Sequence, residues 1–293
     1  MRQGGNISIM KKMKSSRTSS IVLHNLLIAF LALFWLIPII WLVCTSFSAY
    51  SGMNTSTFFP QEWSIVNYSK LFHPDTVAQF PQWFLNTFII ACFTCVISTM
   101  FVLMVAYATS VMRFPMRKPL MNVAVILNLF PGMLAMIAVY FILKSFNLTN
   151  SYIGLIMVYS ASAGLGYLIA KGFFDTVPRA LCEAARIDGC SEARIFWQVI
   201  LPMSRPIIVY TVISSFLVPW MDFVYAKMIL NAGISSKYTV AIGLYKMLDK
   251  SLINSYFTQF CAGGVLVSIP ISVLFFIMQK FYVEGITGGA VKG

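Results

Sequence analysis

The stretch NTFIIACFTCVISTMFVLMVAY, residues 86–107, contains no Asp, Glu, Lys or Arg, and no charge occurs anywhere between Asp75 and Arg113. A helix rises 1.5 Å per residue, so about 20 apolar residues cross the roughly 30 Å of hydrocarbon in a bilayer. Backbone N–H and C=O groups meet no water there and must be satisfied within the segment. A helix does this, and the run is continuous rather than alternating as a barrel strand would be. Charge is absent in the same way at 18–61, 119–143, 145–170 and 251–279, while a sixth apolar stretch, 206–230, is interrupted by Asp222 and Lys227. These runs predict an all-α membrane protein with six spans, at 26–46, 86–107, 120–143, 152–170, 207–229 and 259–281. Composition agrees. The 293 residues are 59% hydrophobic and 10% charged, against about 25% charged in soluble domains.

Outward from the spans, the chain divides into a basic amino-terminal segment (1–25), a six-helix domain (26–283) and a short tail (284–293). With six spans, fifteen of the 21 Lys and Arg residues fall on the side of the amino terminus. Positive residues are retained in the cytoplasm, so both termini are expected inside. The net charge of +12 is accounted for by this asymmetry, and nucleic-acid binding is set aside. The first apolar run is longer than a secretory signal core and no clean small-x-small site follows it, so it is expected to stay as an uncleaved span.

Chemistry-bearing residues are few. His24 and His73 are the only histidines, one at a span edge and one in an external segment. There is no HExxH, and no nucleophile has a base at membrane depth. The pair Cys92-x-x-Cys95 lies inside an apolar run without further Cys or His nearby and reads as packing rather than a metal or redox site. No G-x4-G-K-[ST] occurs, so the chain lacks the usual phosphate cradle and any ATP would be held elsewhere. Asp222 is the only carboxylate in a span. It and the polar residues Asn86, Asn122 and Asn128 are candidates for a pathway, although Asp222 is also placed to pair with Lys227. A proton- or ion-coupled carrier or a channel is the alternative class, and such proteins keep ionisable groups at mid-membrane.

The loop between the fourth and fifth spans, 171–206, holds four of the nine acidic residues: Asp175, Glu183, Asp188 and Glu192. Pro178 suits a first helical position, Gly189 a carboxy-terminal cap, and Ser191 the cap of a second helix with Glu192 in its first turn. Pro202 and Pro206 close that helix before the fifth span. The expectation is helix, tight glycine turn, helix: an element that moves the fifth span when pushed, or else an amphipathic helix lying on the membrane. Leu181, Ala184 and Ala185 would form its small apolar face, with Glu183 and Arg186 available for pairing. Two external segments, about 47–85 and 230–258, carry aromatic and turn residues. The second is long for a plain connection and is expected either to make contacts outside the membrane or to be a loose tether.

Glu183-Ala184-Ala185-Arg186-Ile187-Asp188-Gly189, followed after nine residues by Val199-Ile200-Leu201-Pro202, resembles the E-A-A-x3-G-x9-I-x-L-P loop of ABC importer permeases, with Val199 in place of isoleucine. Residues 83–87, 219–223 and 238–244 look like carbohydrate-uptake permeases, the last two most like the Gram-positive versions, and residues 283–293 are similar to the maltose/maltodextrin branch. The resemblance implies a transport subunit rather than an enzyme, in the cytoplasmic membrane of a bacterium. It would carry no cofactor of its own. Its partners would be a second permease subunit, two ATP-binding subunits that hold ATP and Mg, an extracellular solute-binding protein and an oligosaccharide, maltodextrins first. Glu183, Ala184, Ala185, Arg186, Asp188, Gly189, Leu201 and Pro202 would then couple to the ATPase, and Gly288, Gly289 and Lys292 would reach it from the tail. Tyr238, Tyr245 and Lys246 would meet the binding protein, and Asn86, Asn128, Trp220 and Asp222 would line the sugar's path.

Overall fold

Three of the apolar runs form long, unbroken helices. A computed structural model describes the backbone of residues 3–53, 57–73, 75, 77–112, 114–129, 132–162, 164–230 and 233–290. The long helices are α1 (Gln3–Ser46), α3 (Phe80–Ser110) and, late in the chain, α14 (Ile253–Ala290), with a short helix α2 (Val66–Phe72) after the first. Stretches of these three, Ile21–Ser46, Phe80–Ser110 and Ile253–Lys280, are long and apolar enough to cross a bilayer alone. Among the described residues there is no strand, only an isolated bridge between Ser48 and Trp63.

The other expected spans are broken, each where the sequence carries a breaker. Instead of one helix over 120–143 there are two, α4 (Arg117–Asn128) and α5 (Gly132–Ser145). The intervening sequence is Leu129-Phe130-Pro131, and Pro131 followed by Gly132 is a strong stop signal. The fourth expected span is α6 (Tyr152–Ala161) and α7 (Gly164–Phe174), bent by 44° in the glycine-containing stretch Ser162-Ala163-Gly164-Leu165-Gly166. The fifth, α11 (Arg205–Met221), stops at Asp222 and resumes as α12 (Val224–Ile229), so 207–229 is not one helix either. Three spans stand alone, and five result if two bent pairs, α6 with α7 and the Glu192–Met203 helix with α11, each count as one.

α3 is the centre of the bundle. Its first half, with Trp83, Ile90 and Ala91, lies in one core with Phe216 and Trp220 of α11 and Leu155 of α6; its second half, with Val102, Leu103, Ala106 and Tyr107, lies in another with Ala170 and Phe174 of α7 and Ile207 of α11. α1 packs along α14, with Trp41 and Phe257 rings 6.1 Å apart, and its last residue Ser46 bonds Tyr68 and Asn67 of α2. Its side chains from Ile21 to Ile40 are exposed, as lipid-facing side chains must be.

The segment after α12, expected outside the membrane, is docked, not a loose tether. Its helix α13 (Val240–Lys246) buries Val240, Ile242 and Leu244 against the first core. The start of α3 grips the approach: Trp83 Nε1 donates to the Ser235 carbonyl (2.8 Å), Asn86 Nδ2 to the carbonyls of Ser236 (2.8 Å) and Tyr238 (3.0 Å), and Thr87 Oγ1 accepts from the Val240 N–H (2.8 Å). Gly243 lies flat on the Trp83 ring, where a Cβ would stand 2.0 Å from Cε3. Overfilling such a contact costs about 1–3 kcal/mol. Gly243→Ala is therefore expected to lower the melting temperature of the detergent-purified protein by about 5 °C, and an unchanged melt would show that the ring is free to move aside.

Candidate functional site

The element between α7 and α11 is built as its punctuation predicts, with one shift. α8 (Arg179–Ile187) has Pro178 as its amino-terminal flank (φ −58°, ψ 121°) rather than as its first residue. It ends in a double closure: the Cys190 N–H bonds the Ala185 carbonyl (2.9 Å) and the Gly189 N–H that of Arg186 (3.0 Å). This wrap requires a left-handed residue between them, and Gly189 has φ +80°. A Cβ there would meet nothing within 4 Å, so backbone conformation and not space demands the glycine. Ser191 Oγ then accepts from the Arg194 N–H (3.3 Å) and starts α9 (Glu192–Ile195).

Pro202 does not end this second helix as expected. The helix widens into a π-turn over Phe196–Ile200 and continues as α10 (Leu201–Met203). A proline lacks the N–H for the carbonyl four residues back and crowds it, and a wider turn relieves the clash. The stop comes at Ser204, whose Oγ bonds the Ile200 carbonyl (2.7 Å). α11 begins at an 88° angle to the preceding helix, with Pro206 in its first turn, where a missing N–H costs nothing.

This arm is fixed to the bundle. Cys182, Ile195, Phe196 and Ile200 are buried with Phe174 of α7 and Tyr107 of α3. Glu192 ties three helices together: its Oε2 accepts from the Tyr107 hydroxyl (2.6 Å), and its Oε1 from Arg186 Nε (2.6 Å). Arg186 is thus engaged within the chain and is not available outward as expected. Ala185 is half-buried and turned toward the core rather than completing an outer apolar face. That face is Leu181, Ala184 and Ile187, and Ile187 is 86% exposed. Glu183 and Asp188 are on the exposed side, Leu201 is half-buried and Pro202 exposed.

A second feature is a groove of about 300 Å³ among α3, α6, α7 and α11. Thr94, Ser98, Asn128, Tyr159, Tyr210 and Ser214 are among its lining residues, and none of the lining residues is charged. Ser215 Oγ donates to Ser98 Oγ across it (3.2 Å), while Thr94 Oγ1 is buried without a partner. Such a surface exchanges hydrogen bonds with a neutral, hydroxyl-bearing ligand and offers the half-buried Tyr210 ring for stacking, Tyr159 being 5% exposed and bonded to Asp222.

Of the residues expected on a pathway, only Asn128 lies on this groove. Asn86 is the buried strut under residues 235–238, and Trp220 is buried between the Phe84 and Phe216 rings. Asp222 does not pair with Lys227. Its carboxylate accepts from the Tyr159 hydroxyl (2.7 Å) and from the Ala226 N–H (2.9 Å), capping α12, whereas Lys227 Nζ sits 5.6 Å from the Tyr238 ring centroid. Outside, Tyr238 is 6% exposed and is not a surface contact; Tyr245 is exposed beside Phe223, and Lys246 is half-exposed. Gly288 and Gly289 lie within α14, and Lys292 lies outside the described residues. The sequence offered no signal for the Tyr107–Glu192 bond, whose members are 85 positions apart. Among the described residues no group of three or more His, Cys, Asp or Glu is arranged to hold a metal.

A family model described as "Binding-protein-dependent transport system inner membrane component" matches residues 103–288. The chain is 34% identical over 282 residues to the galactooligosaccharides transport system permease protein GanQ of Bacillus subtilis (strain 168), covering 96% of this chain and 99% of that protein. It is 32% identical to the maltodextrin transport system permease protein MalD of Streptococcus pneumoniae, covering 86% and 89%. It is 29% identical to the maltose/maltodextrin transport system permease protein MalG of Salmonella typhimurium, covering 96% and 98%. Among solved structures, a bacterial ABC transporter involved in importing the acidic polysaccharide alginate superposes with a TM-score of 0.75 over 92% of this chain and 98% of that one, at 24% identity. That likeness establishes the fold.

The Arg186 guanidinium and then the Tyr107 hydroxyl hold the Glu192 carboxyl below its ordinary range. A depressed carboxyl stabilises the folded state above its unfolded value and loses that contribution as pH falls through the lowered one. Both ends of the ion pair are more than a third exposed, so solvent screening limits the gain to about 1 kcal/mol. Glu192→Gln is expected to lower the melting temperature by a few degrees at pH 7, and the difference is expected to shrink as pH falls through the lowered value. A difference that does not shrink with acidification would show that the carboxylate charge contributes nothing.

Proposed function

Because this chain belongs to the family of binding-protein-dependent transport system inner membrane components, we propose that it is one permease half of an oligosaccharide importer whose motion is driven by ATP-binding partner subunits. Members of this family are inner-membrane components of ABC transporters, and this chain is such a component. The single observation that carries the mechanical reading is the arm of α8 to α10, which presents Leu181, Ala184 and Ile187 outward while Glu192 and the second core bind it to α3 and α11.

In this reading an ATP-binding subunit closes on the outward face of α8. The glycine wrap at Gly189 keeps α8 and α9 at a fixed angle, so displacement passes to α11 and to the wall of the polar groove. The chain crosses the membrane six times with both termini in the cytoplasm, pairs with a second permease subunit, and receives sugar from an external binding protein that touches Tyr245 and Lys246. ATP and Mg belong to the two ATP-binding subunits, and Gly288, Gly289 and Lys292 approach them from the tail.

The groove's hydroxyl and amide lining suits a neutral oligosaccharide. Similarity to permeases named for galacto-oligosaccharides and for maltodextrins supports a hexose oligomer, with maltodextrins and galacto-oligosaccharides as the panel to try. A carrier driven by an ion gradient finds less support, because the span carboxylate Asp222 is engaged in holding Tyr159 and α12.

Proline cannot take the φ of +80° found at Gly189. Gly189→Pro is expected to cut ATP-dependent sugar uptake in membrane vesicles at least about 100-fold, the cost of a misplaced positioning element, with the chain still inserted at normal level. Ile187→Asp is expected to weaken capture of the ATP-binding subunit without lowering the melting temperature. Normal uptake in Gly189→Pro, or uptake that survives loss of ATP hydrolysis in the partners, would overturn the proposal.

A further inference from the structure

At the basic end of the bundle, a cavity of about 500 Å³ lies between the start of α4 and the end of α7. Arg117, Lys118, Lys171 and Arg179 line it, and Asp175 is the only acidic residue among its walls. That carboxylate is already engaged: Oδ2 by Lys171 Nζ (2.5 Å) and Oδ1 by the Ser110 hydroxyl (2.5 Å). Three further cations share the cavity with no other carboxylate in its lining. Arg179 also acts on Asp175, and Glu183 stands with Arg117 and Arg179 in the adjoining cavity, so the excess of positive charge rests chiefly on Arg117 and Lys118, where an entering anion is favoured.

α4 adds an apolar flank, while its amino terminus adds little: the Arg117 N–H bonds the Phe114 carbonyl (3.3 Å) and Pro119 has no N–H. Leu120, Val123 and Leu127, on one face of the same helix, are all exposed, and no residue of α4 is buried within the chain. A basic cavity therefore opens beside an apolar flank that begins within one turn of it. A free phosphate would use only the first of these; a phospholipid uses both.

We propose that this cavity binds the phosphodiester headgroup of an anionic membrane lipid, with Arg117 and Lys118 on the phosphate and the acyl chains laid along Leu120, Val123 and Leu127. Arginine meets phosphate oxygens in a fork and lysine as a point charge, and basic pockets between spanning helices are suited to such headgroups. The inference rests on the membrane placement of the helices and not on sugar transport, so its failure leaves the transport reading standing.

The test is native mass spectrometry of the full chain, extracted with its bound subunits in mild detergent and offered dioleoyl phosphatidylglycerol or dioleoyl phosphatidylcholine. The parent is expected to retain the glycerol lipid at least about tenfold better. Each cation near a lipid surface contributes about fivefold in affinity, so Arg117→Gln with Lys118→Gln is expected to lose about 25-fold. The charge-preserving Arg117→Lys with Lys118→Arg is expected to keep most of the binding, which separates charge from misfolding, and melting temperatures without lipid check the fold of both. Equal retention of the two lipids, equal retention by parent and Gln variant, or displacement of the lipid by millimolar inorganic phosphate would each overturn the proposal.

Discussion

One helix holds the two working ends of the molecule at a fixed separation. α3 is 31 residues long, about 45 Å at 1.5 Å per residue. At one end Trp83, Asn86 and Thr87 hold the external segment through four hydrogen bonds, and at the other Tyr107 holds Glu192 of the arm. Between these grips the helix is the spine of both cores. Remove its packing and neither the outer segment nor the arm has a rigid body to bear against. The hydrophobic effect does not bring helices together inside a bilayer; close packing and hydrogen bonds do, and α3 carries both.

Much of this was legible in the sequence, because composition acts locally. The absence of charge over 76–112 predicted α3, and the Pro178, Gly189 and Ser191 punctuation predicted α8, the turn and α9. What was not legible depends on distance. Arg186 and Glu192 lie six positions apart and could have been paired by inspection, but Tyr107 stands 85 positions from Glu192 and only the folded arm makes them neighbours. The choice of Ala185 over Ile187 for the outer face was an error of phase. Once Cys182 is buried, residue 185 is carried inward by the helical period and residue 187 outward.

Two polar residues expected on a pathway have partners within the chain. A polar side chain in an apolar run can face a ligand, yet the backbone competes for it. Asn86 is taken by two carbonyls, Asp222 by a helix start and a tyrosine. The groove is lined instead by short hydroxyls such as Thr94, Ser98 and Ser214. In a helix these can bond the carbonyl one turn back, so they are common in spans for structural reasons and stand out from their neighbours only when the fold gathers them.

The right-angled joint at Ser204 has a geometric consequence. α11 is 17 residues long, so it reaches about 25 Å from the corner. Rolling the short arm by about 10° swings the far tip of α11 through roughly 4 Å, and carries Ser215, about 15 Å out, through more than 2 Å. A hydrogen bond of 3.2 Å, such as that from Ser215 to Ser98, does not survive such an excursion. On the proposed mechanism the fulcrum would magnify a modest torque on the arm into a parting of the bundle's polar seam.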